Sequence, residues 1–175
     1  MKNLKISLKS QIQALKELII VSTVYFGGMY FLYVNTEFDL FKILFLSTFC
    51  FYFLIVVLPV VILHVNYLNN NRFKEIIIDR NRLVMDNIEY SSEDINEINI
   101  FATKQHFDDS TGAYSFAYND YYYYIEICLK NNKKITLSSL LDYKLDKILK
   151  ENFNSVKTTE NAGGLFSLLI KDNTE

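Results

Sequence analysis

Few residues in this chain carry chemistry. The 175-residue sequence has two histidines, His64 and His106, and two cysteines, Cys50 and Cys128. His106 with Asp108, Asp109 and Asp120 offers the donor types of a metal site, but these acids sit in or just after a polar stretch, HFDDSTGAYSFAYN, whose ordinary role is solvation. No Gly-rich phosphate loop, H-E-x-x-H or C-x-x-C occurs. His64 closes an apolar run, where an ionisable side chain can mark a proton relay. No carboxylate accompanies it, so a neutral, hydrogen-bonded His at an interface is expected. One cysteine lies in an apolar run and the other in a strand-like segment, which is no disulfide framework and suits a reducing compartment. The inventory predicts a protein that is not an enzyme and has no cofactor or metal.

What must position these residues is dominated by one run. Ile43 to Val65 contains no Asp, Glu, Lys or Arg over 23 residues. As a helix it reaches about 34 Å, enough to cross a bilayer core of about 30 Å with some tilt. Leu18 to Val34 is a second uncharged run of 17 residues, at the lower limit for a span. A signal peptide fits it poorly, because no small-residue cleavage site follows and the next apolar run begins after only eight residues. The division expected is a basic flank at 1–17, transmembrane helices at 18–34 and 43–65, a short external loop at 35–42, a soluble domain at 66–155, and a tail or extra strand at 156–175. The flank has scattered apolar positions partly at helical spacing, so a short interfacial helix is the alternative there. Thr23, Gly27 and Gly28 form a small-residue face, expected to pack against the second span ahead of serving dimerisation. Pro59 should kink the second helix.

Flanking charge sets the orientation. Lys2, Lys5, Lys9 and Lys16 precede the first span and Arg72 and Lys74 follow the second, whereas the loop between holds Lys42 beside Glu37 and Asp39. Both termini are therefore expected in the cytoplasm, in the cell's inner membrane. Two spans with no intramembrane acid and no internal repeat do not make a transport pathway alone. Residues 66–175 carry 13 Lys+Arg against 17 Asp+Glu, a net of −4, which makes nucleic acid a poor partner.

The soluble part reads as strands followed by one helix. Lys74 to Asp79 and Arg82 to Asp86 form a hairpin about Arg80-Asn81, and Ile95 to Thr103 is a further strand. Tyr121 to Lys130 alternates, placing Ile125, Ile127 and Leu129 on one face with Tyr121 and Tyr123, and Tyr122 and Tyr124 on the other. After Asn131-Asn132 the chain returns with Ile135 and Leu137 inward. Ser139 and Asp142 resemble a capping box, and Leu141, Leu145, Ile148, Leu149 and Phe153 make a helical stripe, with Asp146 and Lys150 as an i,i+4 pair.

The order of elements, with EDINEINI at Glu93 to Ile100 and IEICLKNNKKITLSS at Ile125 to Ser139 followed by the helix, resembles the bacterial membrane-anchored pleckstrin-homology-like proteins, the YcxB-like and related families. The resemblance implies an α+β fold: a two-helix transmembrane hairpin followed by a PH-like antiparallel sheet or partial barrel capped by one C-terminal α-helix. It implies lipid or protein interaction and no catalysis. The chain lacks the Trp usual in the eukaryotic helix. Lys74, Arg80 and Arg82 look like the cationic set with which eukaryotic members hold phosphoinositides. The first strand would carry its far end about 20 Å from the membrane, beyond a Debye length of about 8 Å. Three solvated charges beside a turn is the preferred reading.

Seven aromatics fall within Tyr114 to Tyr124. A strand hides one face in a core, so Tyr122 and Tyr124, with Tyr118, are candidates for a partner-binding surface. The alternative is that a second layer, the tail or the spans themselves, covers them. The functional expectation is a membrane protein presenting a PH-like protein-interaction module to the cytoplasm, with the bilayer and another protein as partners and an oligomer compatible. Alternatives are an immunity or regulatory subunit acting through its hairpin, and a lipid sensor.

Overall fold

A computed structural model describes residues 1–107 and 120–171. The chain starts in a strand. β1, Lys2–Leu4, lies before the apolar helices and pairs antiparallel with β2, Ile76–Asp79, which lies after them. The basic flank is therefore part of the folded domain, because Leu4 enters its core at 2 % exposure.

Ser7 then caps a single long helix, α1, Leu8–Asn35, in a reciprocal arrangement with Ser10. From Leu8 onward the expected flank is continuous with the first span in this one helix. A second long helix spans Phe38–Asn71 as α2, Phe38–Tyr52, a π turn over Phe53–Val57, and α3, Leu58–Asn71. The π turn lies just ahead of Pro59, which has no N–H to give; the Leu58 N–H reaches back to the Phe53 carbonyl instead. Both helices are long and apolar enough to cross a membrane.

The two helices meet along Ser22, Tyr25 and Met29. The Ser22 and Tyr52 hydroxyls are hydrogen-bonded, Tyr25 Oη and Thr48 Oγ1 lie 3.1 Å apart, and Tyr25 stacks on Tyr52 with ring centroids 4.3 Å apart. Thr48 also donates to the Met29 sulfur. This corrects the expected packing face. Thr23, Gly27 and Gly28 are exposed, and nothing lies within 4 Å of a Cβ placed on either glycine. Bulky stacked aromatics turned the helix so that its small residues face away.

β2 continues into β3, Arg82–Met85, and β4, Ile88–Ser91, through tight turns that need positive φ at Asn81, Asp86 and Asn87. Asp94 fixes the next turn by accepting the Ser91 N–H and hydroxyl. A second sheet follows, in the order β7-β6-β5-β8. It consists of β5, Ile95–Ala102, β6, Tyr124–Leu129, β7, Lys134–Ser138, and β8, Lys157–Ala162. β8 runs parallel to β5. A short helix, α4, Lys104–Phe107, leaves β5, and α5, Leu145–Asn152, follows β7.

One core lies between the two sheets and α5. It gathers Ile76, Ile78 and Leu83 with Ile98, Ile100, Ile125, Ile127, Leu137, Leu145, Leu149 and Phe153, as the alternation and the helical stripe predict. The helix is shorter than the stripe, because residues 139–144 form turns. Asp146 and Lys150 do not pair: Lys150 bonds Glu160 on β8 at 2.7 Å, and Asp146 turns inward.

A second core joins domain to hairpin. Val60, Leu63 and Tyr67 of α3 and Ala14 of α1 pack with Tyr122, Tyr124, Leu140, Leu168 and Ile170. The last two belong to the tail, where Leu165–Leu168 forms a 3₁₀ turn. Within the 156–175 stretch expected as a tail or extra strand, the strand is β8.

Candidate ligand groove

The residues singled out in the sequence do not form one site. Tyr122 and Tyr124 are 0 % and 6 % exposed, so neither offers an exposed aromatic surface. Their parity is as expected, but α3 lies on that face. Tyr122 Oη bonds His64 Nδ1 at 3.0 Å, its ring meets Tyr67 edge-on at 5.6 Å, and Tyr124 stacks on Phe101 at 4.7 Å. His64 thus serves as a buried hydrogen-bonding partner between hairpin and sheet. Tyr121 precedes the strand and joins the rim of this second core, away from Tyr123. Tyr118 lies outside the described residues.

The three cations are also separated. Lys74 Nζ donates to the Thr136 carbonyl at 3.3 Å, and burial pulls its ammonium below the ordinary lysine value, opposed by nearby Asp86. Arg80 and Arg82 are exposed at the other end of β2, about 20 Å of extended chain away. Arg82 pairs there with Glu89 at 3.1 Å.

His106 is brought to a carboxylate, but not to those of its own stretch. Its Nε2 lies 3.5 Å from Asp146 Oδ2, too far for a well-formed hydrogen bond. Tyr123 Oη donates toward Asp146 Oδ1 at 3.2 Å and to the Tyr143 carbonyl at 2.7 Å. Burial raises the Asp146 carboxyl, but His106, the Lys147 N–H and the Tyr123 hydroxyl more than offset it and hold the group below its ordinary value. Asp120 instead accepts from Thr103 at 2.9 Å; Asp108 and Asp109 lie outside the described residues.

Among the described residues, a groove lies between the start of α1 and the β7–α5 connection. Its wider part, about 360 Å³, is lined by Lys2, Ser7, Lys9 and Ser10 on one side and Asp142, Tyr143 and Lys144 on the other. A narrower part, about 170 Å³, continues along α1 past Gln13 to Glu17 and Asp120. The stacked pair Tyr121 and Tyr143, with centroids 5.1 Å apart, borders both. Burial first, and then Asp142 and Tyr143, push the Tyr121 phenol up to about 12, so this wall is neutral.

Charge divides the groove. Lys2 is paired with Asp142 at 2.9 Å, whereas the exposed Lys9 and Lys144 side chains have no partner among the described residues. The wide end is therefore cationic, whereas the narrow end mixes Glu17 and Asp120 with Lys16. Sequence reasoning missed it because its walls come from opposite ends of the chain.

Comparison with protein families finds a match over residues 3–149 to the family described as PH domain. The match begins in β1 and ends in α5, so the unit it recognises includes the strand before the hairpin. Neither the curated proteins nor the solved structures include a match.

Proposed function

The chain belongs to the PH domain family, and from that premise we propose that it is a non-enzymatic binding protein, anchored by a hairpin that spans the cytoplasmic membrane and holding its PH domain on the cytoplasmic side. The pairing of β1 with β2 carries this reading. A bilayer crossed by α1 and crossed back by the helix of Phe38–Asn71 leaves both flanking segments on one side, and these segments are hydrogen-bonded neighbours in one sheet. The Lys-rich flank assigns that side to the cytoplasm. The second core supports the reading further, since Val60, Leu63 and Tyr67 seat the domain directly on the helix.

A membrane-impermeant maleimide tests the topology in intact spheroplasts. In a Cys50→Ser, Cys128→Ser background, Thr36→Cys should be labelled and Lys130→Cys protected until the membrane is permeabilised. Labelling of Lys130→Cys in sealed cells would overturn the proposal. A second reading, action through the hairpin on another protein's spans, is favoured by the open face at Thr23, Gly27 and Gly28.

A further inference from the structure

One aromatic side chain in the tail is exposed although its backbone is held. Phe166 is 82 % exposed, yet it stands in the 3₁₀ turn Leu165–Leu168, which is fixed on both sides. Before the turn, the Gly163 N–H donates to the Ala102 carbonyl at the end of β5, and a Cβ on Gly163 would overlap the Ser167 side chain. Within it, the Ser167 N–H and hydroxyl both donate to the Gly164 carbonyl. At its end, Leu168 and Ile170 are buried and bonded to Tyr67 and Asn66. The turn lies beyond the residues 3–149 matched to the family, so it belongs to this chain and not to the matched unit.

Both long helices set the level of this turn. Asn66, which holds Ile170, immediately follows the uncharged run Ile43 to Val65. Ala14, which packs in the same cluster as Leu168 and Ile170, lies only about 6 Å of helix before Leu18. A headgroup layer adds about 5–7 Å beyond the hydrocarbon. Helical side chains lean toward the helix N-terminus, which for α3 is the membrane end, so Tyr67 holds Leu168 on the membrane side of its own Cα. Val61, Ile62 and Val65 are exposed on α3 and carry the apolar surface of the span up to the residue that fastens the tail. An exposed lysine, Lys171, follows, and an apolar ring beside a cation is the make-up of an interfacial segment. We propose that Leu165–Leu168 is an interfacial anchor whose Phe166 ring enters the boundary between headgroups and acyl chains, seating the domain on the bilayer at a point apart from the two helices. The proposal rests on the hairpin spanning the membrane but not on which side the domain occupies. A second copy of the chain is the competing cover for the ring, and continuity with the exposed apolar face of α3 favours lipid.

The chain has no Trp, so a single substitution supplies its only indole. Phe166→Trp, Phe51→Trp and Phe73→Trp, each at an exposed position, are made in the full-length protein and placed in nanodiscs of phosphatidylcholine or of an analogue brominated near the top of its acyl chains, a quencher of short range. Phe51 lies within the second span, and Phe73 follows the end of α3, which rises about 8 Å beyond Asn66. Phe166→Trp should lose about half its emission or more in the brominated bilayer and emit further to the blue than Phe73→Trp, as an indole at the acyl boundary does. Phe51→Trp should be quenched and Phe73→Trp should not. Phe166→Trp as unquenched as Phe73→Trp, with Phe51→Trp quenched, would overturn the anchor and leave the hairpin standing. Blue-shifted but unquenched emission from Phe166→Trp would put a second copy on the ring and overturn it equally. Absence of quenching at Phe51→Trp would overturn the spanning hairpin and the anchor with it, so the two failures are distinguishable.

Discussion

Leu4 and Ile76 are partners on adjacent antiparallel strands, although the entire helical hairpin lies between them in sequence. Both are buried in the same core, at 2 % and 0 % exposure. The hairpin is therefore an insertion within the domain's first sheet. Leu4→Ala should destabilise the domain by about 2–5 kcal/mol, the usual range for truncating a buried leucine. Removal of residues 1–5 should expose the edge of β2 and cost more. Denaturant unfolding of the full-length protein in detergent, followed by tyrosine fluorescence, measures both. A fragment beginning at Tyr67 lacks β1 and most of α3, and should aggregate because it uncovers Tyr122 and Tyr124.

The tail is fastened to the same helix. Asn66 donates to the Ile170 carbonyl at 3.0 Å and accepts the Ile170 N–H at 2.9 Å, and Tyr67 Oη donates to the Leu168 carbonyl. Asn66→Ala should cost about 1–3 kcal/mol, for two part-buried hydrogen bonds of about 0.5–1.5 kcal/mol each. Amide exchange across residues 165–170 should quicken while exchange in β6 stays slow. Unchanged exchange in the tail would show that Leu168 and Ile170 hold it alone.

Acid should loosen the contact between α4 and α5. The Asp146 carboxyl is held below its ordinary value, so its ionised form is favoured more in the folded state than in the unfolded one. That contribution is complete above the ordinary carboxylate value of about 3.9 and is lost as pH falls through the lower folded value. Asp146→Asn should be less stable than the parent at pH 6, and the gap should narrow at pH 3. Urea midpoints at the two pH values measure this; a gap that stays constant would remove Asp146 as the source.

The paired arginines at the β2–β3 turn should be dispensable for membrane contact. Arg80 and Arg82 are exposed and remote from Lys74, and Arg82 is engaged by Glu89. Replacing both by Ala should leave sedimentation of the solubilised protein with anionic liposomes unchanged. It should alter stability by less than about 1 kcal/mol, since an exposed ion pair contributes little.

The sheet-and-helix part of the fold was legible where burial is one-sided and periodic. Ile125, Ile127 and Leu129 alternate with polar neighbours, Ile135 and Leu137 answer them, and Leu145, Ile148 and Leu149 recur at helical spacing; all enter the same core. β1 was not legible, because three residues, KNL, hold no period and their partner strand is distant in sequence. β8 was legible only as one of two options for 156–175, because KTTENA is an edge strand with largely exposed side chains and carries no apolar alternation. Parity placed Tyr122 and Tyr124 on the correct face but could not say what covers it, because that cover is a helix whose own apolar run reads as lipid-facing. Lys9 and Lys144 border one groove only because α1 docks beside the β7–α5 connection. Neither has a local motif that announces it.

Asn3 and Ile77 face each other across β1 and β2. Antiparallel partners have Cα atoms about 4.5–5.5 Å apart, within the range a disulfide bridges. In full-length protein lacking Cys50 and Cys128, kept in its native membrane, Asn3→Cys/Ile77→Cys should oxidise rapidly to an intramolecular disulfide. The product would be a faster-migrating, reducible species on a denaturing gel, absent from Asn3→Cys paired with Lys130→Cys. Failure of the 3–77 pair to close, or closure only between chains, would contradict the claim that the two ends of the hairpin are joined in one sheet on one side of the membrane.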